Sequence, residues 1–342
     1  MKQSNFMFIK YFFSFCFVLL ILAVFVPRKY KALQFLKLKN VQFFELKTGS
    51  KITYTHLVAQ GTKKPFPIIY LHGGPGGFIS EREIKILEPL TNDGFEIYLY
   101  DQIGSGQSER LSDIKEYTAD RHKKDLEELI KKIGAEKVIL IGQSWGAVLF
   151  TLYIADNPNK VDKAILIGPG PIQPTNFALL NINPPDSLKL TIPTFTNKEA
   201  NEKSKNIRSS AVAFCARTFG KKLASDNEMD NFQTLLNSEL NKATVRDTTN
   251  ALNPQGVGGF YAQIMTIQSL NKIQDTRPKL KSAHVSVLIM KGQFDNQPWG
   301  FVNEYLEIFP NHLLKIIPDA GHAISVEQPE KYIKTIREFL IK

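Results

Sequence analysis

A serine between two glycines, Gly142-Gln143-Ser144-Trp145-Gly146, constrains this chain more than any other stretch. Four apolar residues, Val138 to Ile141, run into it, and the apolar, alanine-containing run Ala147 to Ala155 leads out. That pattern predicts a buried strand turning sharply into a helix, with the serine at the corner. So tight a turn strains the corner residue and presses its neighbours against strand and helix, and glycine on both flanks removes the clash. The hydroxyl is thereby lifted out of the sheet. The first N–H groups of the helix are aimed at any negative charge that develops beside it. This is the G-x-S-x-G geometry of a nucleophile elbow, and it occurs once in the sequence.

The rest of the chain supplies the sheet that such an elbow needs. Ile52 to Ala59 alternates as a strand, and Pro67 to Leu71 reads as a short buried strand running into His72-Gly73-Gly74-Pro75-Gly76-Gly77. Phe95 to Tyr100 ends at Asp101-Gln102-Ile103-Gly104-Ser105-Gly106, and Val161 to Ile167 ends at Gly168-Pro169-Gly170-Pro171. Helical patterns fall between them, over Glu81 to Leu90 and over Tyr117 to Ile133, the second stopped by Gly134. Strands alternating with helices, each strand ending in a polar or glycine-rich loop, predict a mostly parallel sheet with its site at the strand C-termini.

After residue 171 the pattern changes. Residues 172–276 lack buried-strand runs and carry helical stretches near Asn206 to Phe219 and Asp226 to Leu240, as expected of a helical cap inserted over the strand ends. The α/β pattern then resumes with Val285 to Met290, a helix over Phe301 to Phe309, a last strand Leu313 to Ile317 and an amphipathic helix from Pro329. The expected architecture is an α/β-hydrolase core in two parts, 46–171 and 277–342, interrupted by the cap at 172–276.

Length and charge agree with that reading. The 342 residues, 43% hydrophobic, suffice for one large domain with an insertion. The formal charge of +10 could suggest a nucleic-acid partner, but its location argues otherwise. Residues 1–40 hold seven Lys/Arg and no acid, leaving 36 basic and 33 acidic side chains over the other 302. The body is close to neutral, and no nucleic-acid motif accompanies it.

The basic excess flanks an uncharged run, Tyr11 to Val26. Extended through Phe6 to Ile9 past Lys10, this run is expected to form a transmembrane anchor over 6–26, followed by a basic juxtamembrane linker over 27–45. No small-x-small site follows the run, so an uncleaved anchor is favoured over the alternative, a cleaved signal peptide. Lysines on the short N-terminal tail oppose Arg28, Lys29, Lys31, Lys37 and Lys39 beyond the run, and the positive-inside rule does not decide the orientation. Cys16 and Cys215 form no disulfide framework, and no metal-ligand spacing or cofactor motif is present, so neither metal nor cofactor is expected.

Attack by a serine needs a base within hydrogen-bond reach and a carboxylate that orients the base. On this fold they follow in the order serine, acid, histidine, each in a loop after its own strand. Ser144, Asp295 and His322 satisfy both order and placement. Of six histidines only His72 and His322 stand in glycine-containing loops at strand C-termini. His72 belongs to the loop that supplies an oxyanion donor, which leaves His322 as base. The oxyanion donors are expected to be the backbone N–H groups of Trp145 and Gly74. Asp101 and Ser108 are expected to hold the adjacent loop by side-chain to backbone bonds.

His72-Gly-Gly-Pro-Gly-Gly77, Asp101-Gln-Ile-Gly-Ser-Gly-Gln-Ser108, Gly142-Gln-Ser-Trp-Gly146, Gly292-Gln-Phe-Asp295 and Ala320-Gly-His322 together resemble the proline iminopeptidase (prolyl aminopeptidase) family of α/β-hydrolases. The resemblance covers roughly 50–170 and 280–342. It implies Ser144 as nucleophile, Asp295 and His322 as its partners, and release of an N-terminal residue, often proline, from peptides. Two departures concern arginines, since Ile103 and Gln293 stand where the family usually has one. A third concerns the substrate amino group, which the family binds with cap glutamates, one in a W-x-x-W-E run. Here Phe214-Cys215-Ala216-Arg217 is the nearest counterpart, and the cap acids Glu199, Glu202, Glu228 and Glu239 suit solvated helix faces equally well.

The expected partners are therefore a small peptide or acyl substrate, and a membrane through the N-terminal helix. Two activities stay open, an aminopeptidase and an esterase or other small-acyl hydrolase using the same triad. A non-catalytic scaffold would show a broken triad, and none of the three positions is broken. Oligomeric state, substrate identity and the side of the membrane carrying the catalytic domain are not legible.

Overall fold

Alternating apolar runs and amphipathic stretches are realised as one eight-stranded sheet in a computed structural model, which describes residues 2–31, 37–39, 41–253 and 257–341. The strands are β1 (Gln42–Glu45), β2 (Lys51–Leu57), β3 (Ile68–Leu71), β4 (Ile97–Asp101), β5 (Val138–Gln143), β6 (Val161–Ile167), β7 (Ser286–Phe294) and β8 (His312–Gly321). Their spatial order is β1-β2-β4-β3-β5-β6-β7-β8. β1 pairs antiparallel with β2, and β2 antiparallel with β4; every other pairing is parallel. The first hairpin strand, β1, was not expected, because four residues with only two apolar ones give too short a pattern.

The central strands are apolar on both faces because helices cover both faces. Ile69, Leu71, Val138 and Leu140 point into one core, with the helices Ala119–Ile133, Trp145–Asp156 and Trp299–Ile308. Ile68, Tyr70, Ile139 and Ile141 point into the other, under the helices Glu81–Leu87 and Pro329–Ile341. This is the two-residue alternation of a pleated strand. The helix Ala119–Ile133 starts where Thr118 accepts the Arg121 N–H and stops at Gly134, whose φ of 73° is left-handed. The α/β-hydrolase core is thus formed as expected.

Residues 172–276 contain the helices Asn197–Ser204, Ile207–Phe219, Asp226–Leu240 and Phe260–Ser269. The second and third match the sequence reading. In the third, Phe232 and Leu236 are buried and Leu235 and Leu240 half-buried.

The expectation for the N-terminus requires correction. A helix runs over Lys2–Phe25, yet among the described residues no helix is long and apolar enough to cross a membrane. The uncharged run is sixteen residues, Tyr11 to Val26, whereas a bilayer core needs about 20. Lys10 interrupts the extension toward Phe6. The end of this helix is tied to the cap. The Val24 carbonyl accepts from the Arg208 guanidinium, and the Arg28 N–H donates to Glu228 at 3.1 Å. Arg208 and Glu228 themselves form a two-bonded ion pair at 2.7 and 2.8 Å. Of the linker expected over 27–45, residues 32–36 and 40 lie outside the described residues.

Candidate active site

β5 delivers Ser144 to the sheet's C-terminal edge in a conformation that few side-chain-bearing residues adopt, φ 54° and ψ −114°. Such a backbone costs about 1–3 kcal/mol and persists only where its surroundings dictate it. Here they do. The Ser144 N–H donates to Ile167 of β6 at 2.8 Å, while its carbonyl accepts from Ala147 and Val148 of the helix that follows, buried from Trp145 to Ala155. A Cβ on Gly142 would lie 2.5 Å from the Gly146 carbonyl carbon, and one on Gly146 would lie 2.2 Å from the Leu71 oxygen. Both flanks must be glycine, as the spacing predicted.

β7 and β8 bring the other two expected residues together. Asp295 directly follows β7 and His322 directly follows β8; His322 Nδ1 donates to Asp295 Oδ1 at 2.9 Å, and both are buried. With Nδ1 so engaged, Nε2 is left as the basic nitrogen. His322 and Ser144 line one cavity of about 640 Å³. Among the hydrogen bonds of the described residues none joins the Ser144 hydroxyl to His322, and catalytic bonds of this kind commonly tighten only when substrate is bound. A residue that sequence reasoning did not single out lies close against the pair. A Cβ on Gly168, at the end of β6, would lie 2.7 Å from His322 Nδ1 and 3.1 Å from Asp295 Oδ2.

The loop after β3 faces the serine from the other side. A Cβ on Gly73 would meet Ser144 Cβ at 3.4 Å, and Gly74 has φ 124° and a cis bond to Pro75. The Trp145 N–H opens its helix and has no partner within it. Neither it nor the Gly74 N–H enters the turn and loop hydrogen bonds of the described residues.

His72 is structural in this arrangement. Its Nδ1 donates to the Gly73 carbonyl at 2.9 Å, and its Nε2 accepts the Gln102 N–H at 3.0 Å. Burial pushes its imidazole down to about 4, so it stays neutral. Gln102 accepts from the Trp145 indole at 2.8 Å and donates to the His72 carbonyl at 3.0 Å. It thereby links both donor loops, a role that shows only when the strands are assembled.

Asp101 accepts the N–H groups of Ile79 and Gln107, each at 2.7 Å, and Ser108 donates to the Asp101 carbonyl at 2.6 Å. Both are the loop ties expected of them. Burial pushes the Asp101 carboxyl up to about 6 in spite of those two donors.

The cap closes the cavity with Asn197, Asn237, Leu240, Asn241, Thr244 and Asn253. The cap acids lie elsewhere. Glu199 caps its own helix, Glu202 pairs with Lys198, Glu228 with Arg208 and Glu239 with Lys242. The acids that do line the cavity, Glu81 and Glu83, come from the core helix Glu81–Leu87; Glu83 is committed to the Ser80 cap and to Arg82. Ile103 is buried, and Gln293 donates to the Lys189 carbonyl at 3.0 Å.

Glu327 stitches the cap to the His322 loop. Its carboxylate accepts the N–H groups of Gly321 at 2.7 Å and Arg246 at 2.9 Å, and the Asn250 side chain at 3.2 Å. The Ala323 N–H donates to the Thr244 carbonyl at 2.8 Å. Both neighbours of His322 are thus fixed to cap backbone or through Glu327. Glu327→Ala is expected to cost about 1–2 kcal/mol of stability in denaturant unfolding. It should also lower kcat about tenfold with KM within about twofold, because the base is displaced while the cavity walls remain.

A family profile described as alpha/beta hydrolase fold matches residues 67–329. The chain is 38% identical over 117 residues to a proline iminopeptidase of Lactobacillus helveticus (strain DPC 4571), a match spanning 33% of this chain and only 39% of that protein. It is 24% identical over 298 residues to a proline iminopeptidase of Lactobacillus delbrueckii subsp. bulgaricus, covering 86% of this chain and 95% of the relative. An esterase (EaEST) from Exiguobacterium antarcticum superposes with a TM-score of 0.58 at 20% identity, over 88% of this chain and 99% of that one, which speaks to the fold alone.

Proposed function

The chain belongs to the alpha/beta hydrolase fold family and is a hydrolase, and from that premise we propose that it releases a small N-terminal residue from peptides through an acyl-enzyme on Ser144. His322 Nε2 takes the hydroxyl proton as the serine oxygen attacks the carbonyl, and the Gly74 and Trp145 N–H groups receive the oxyanion. The tetrahedral intermediate collapses by expelling the amine, which takes the proton from His322. Water then repeats the sequence against the acyl group, with His322 again as base. Asp295 stays ionised, fixes the imidazole tautomer and balances the imidazolium. The observation that carries this reading is the 2.9 Å His322–Asp295 bond at the rim of the cavity that Ser144 also lines.

One observation favours a second reading, an esterase or small-acyl hydrolase. Among the described residues the cap offers the cavity carboxamides and no carboxylate, and of the two core acids there Glu83 is committed to Ser80 and Arg82 while Glu81 faces Lys85 at 3.5 Å, so a free ammonium finds no counter-charge on the cap. A panel of blocked and unblocked prolyl and alanyl arylamides, with short-chain aryl esters, separates the two. The peptidase reading expects arylamide turnover that falls at least about 100-fold when the amino group is blocked, the loss of a buried charge-assisted contact. Rapid ester turnover with no arylamidase activity would select the esterase.

A further inference from the structure

We infer that Lys291 is a positioning residue for the Asp295–His322 pair, holding the second oxygen of the carboxylate and the loop beyond it and placing a fixed positive charge beside the pair. The inference rests on the serine-hydrolase reading above and extends it to a residue outside the triad.

Lys291 lies in β7 and is 2% exposed, among the largest fully buried side chains of the chain. Lysine is almost never buried to that degree without a partner. Its ammonium donates to the Gln297 carbonyl at 2.7 Å and stands 3.3 Å from Asp295 Oδ2. The other carboxylate oxygen, Oδ1, accepts His322 Nδ1–H and the Gln297 N–H, each at 2.9 Å. Oδ2 has no hydrogen-bond partner among the described residues, so the ammonium is the group that faces it. Gln297 is therefore gripped twice, its N–H by the carboxylate and its carbonyl by the lysine. The turn after Asp295 is held in the form that points Oδ1 at His322.

The charge has a consequence that packing alone lacks. Among the described residues the Asp295 carboxylate has ion-pair partners only in Lys291 and His322. Charged side chains on the elements packed around them are engaged elsewhere: Asp319 of β8 with Arg246, Glu327 beyond His322 with the Gly321 and Arg246 N–H groups, Arg82 with Glu83 and Ser325, Glu304 of the next helix with Arg277, and Lys163 of β6 with the Phe339 and Leu340 carbonyls. A positive charge beside the carboxylate opposes protonation of His322. Removing it favours the imidazolium, so the enzyme must reach a higher pH before the base is free.

The test is the pH dependence of the rate at which a fluorophosphonate probe labels the enzyme, which needs no knowledge of the substrate. Lys291→Met and Lys291→Gln are compared with the wild type, the glutamine keeping a donor for the Gln297 carbonyl while losing the charge. Both variants are expected to label about tenfold more slowly at neutral pH, with the acid limb moved to higher pH. Lys291→Arg is expected to bring the limb back. A lysine that only fills space would slow labelling without moving the limb, and an unmoved limb in whichever neutral variant retains a cooperative thermal transition would overturn the inference. Failure of both neutral variants to fold, with Lys291→Arg leaving the limb displaced, would overturn it as well. A wild type that is not labelled at Ser144 would instead sink the hydrolase mechanism itself.

Discussion

Ser144→Ala is expected to lower kcat by about 10⁴- to 10⁶-fold and to abolish fluorophosphonate labelling while leaving the fold intact. The change removes one oxygen at the edge of a cavity. Among the hydrogen bonds of the described residues that oxygen has none to His322, so its loss strands no buried partner. The strained backbone at φ 54° is imposed by bonds to Ile167, Ala147 and Val148, and alanine inherits all of them. Stability should therefore stay within about 0.5 kcal/mol of the wild type in denaturant unfolding. The remaining rate would come from the Gly74 and Trp145 donors and from binding. Cys215 offers no substitute nucleophile, since it sits half-buried in the cap helix Ile207–Phe219 and does not line the cavity. Turnover that survives the substitution would mean that a different group attacks the substrate.

What was legible in the sequence followed from local pattern. The elbow declared itself because strand, glycines, serine and helix lie within eighteen consecutive residues, and their steric demands are local. Asp295 and His322 were found because each ends an apolar run, so their convergence follows once the runs are known to lie side by side as β7 and β8. Features built from distant segments were not legible. The helix Phe260–Ser269 buries Phe260, Tyr261, Ala262, Ile264, Met265 and Thr266, and with most of its circumference covered it shows no polar face and no helical period. Gln102, Glu327, Gly168 and Lys291 act through partners up to about 150 residues away or through the fold of a following turn. The N-terminal run misled in the opposite direction. Its composition resembles a membrane span, but span length is a threshold, and sixteen uncharged residues fall below it.

Asp295→Asn is expected to reduce kcat by about 10⁴-fold at neutral pH and also to destabilise the protein, and the two losses have separable causes. Burial alone would raise the Asp295 carboxyl. The charge of His322, the Lys291 ammonium, and the hydrogen bonds from His322 and the Gln297 N–H outweigh it and hold the group well below the usual carboxylate range. A carboxylate depressed in this way contributes stability that is present above its unfolded value and is lost as pH falls through the folded one. It is therefore ionised wherever the enzyme works, and the acid limb of the wild type does not report it. The catalytic loss arises because a neutral amide neither fixes the Nδ1–H tautomer nor balances the imidazolium formed in the transition state. The stability loss arises because Lys291 is left as a buried cation with no counter-charge, a defect of about 3–5 kcal/mol. Adding Lys291→Met to Asp295→Asn removes that stranded charge. The double variant should regain most of the lost stability in denaturant unfolding and none of the lost turnover. Equal instability of the single and double variants would show that the lysine and the carboxylate are not energetically coupled, and recovery of turnover would show that the carboxylate serves the chemistry only by holding the lysine in check.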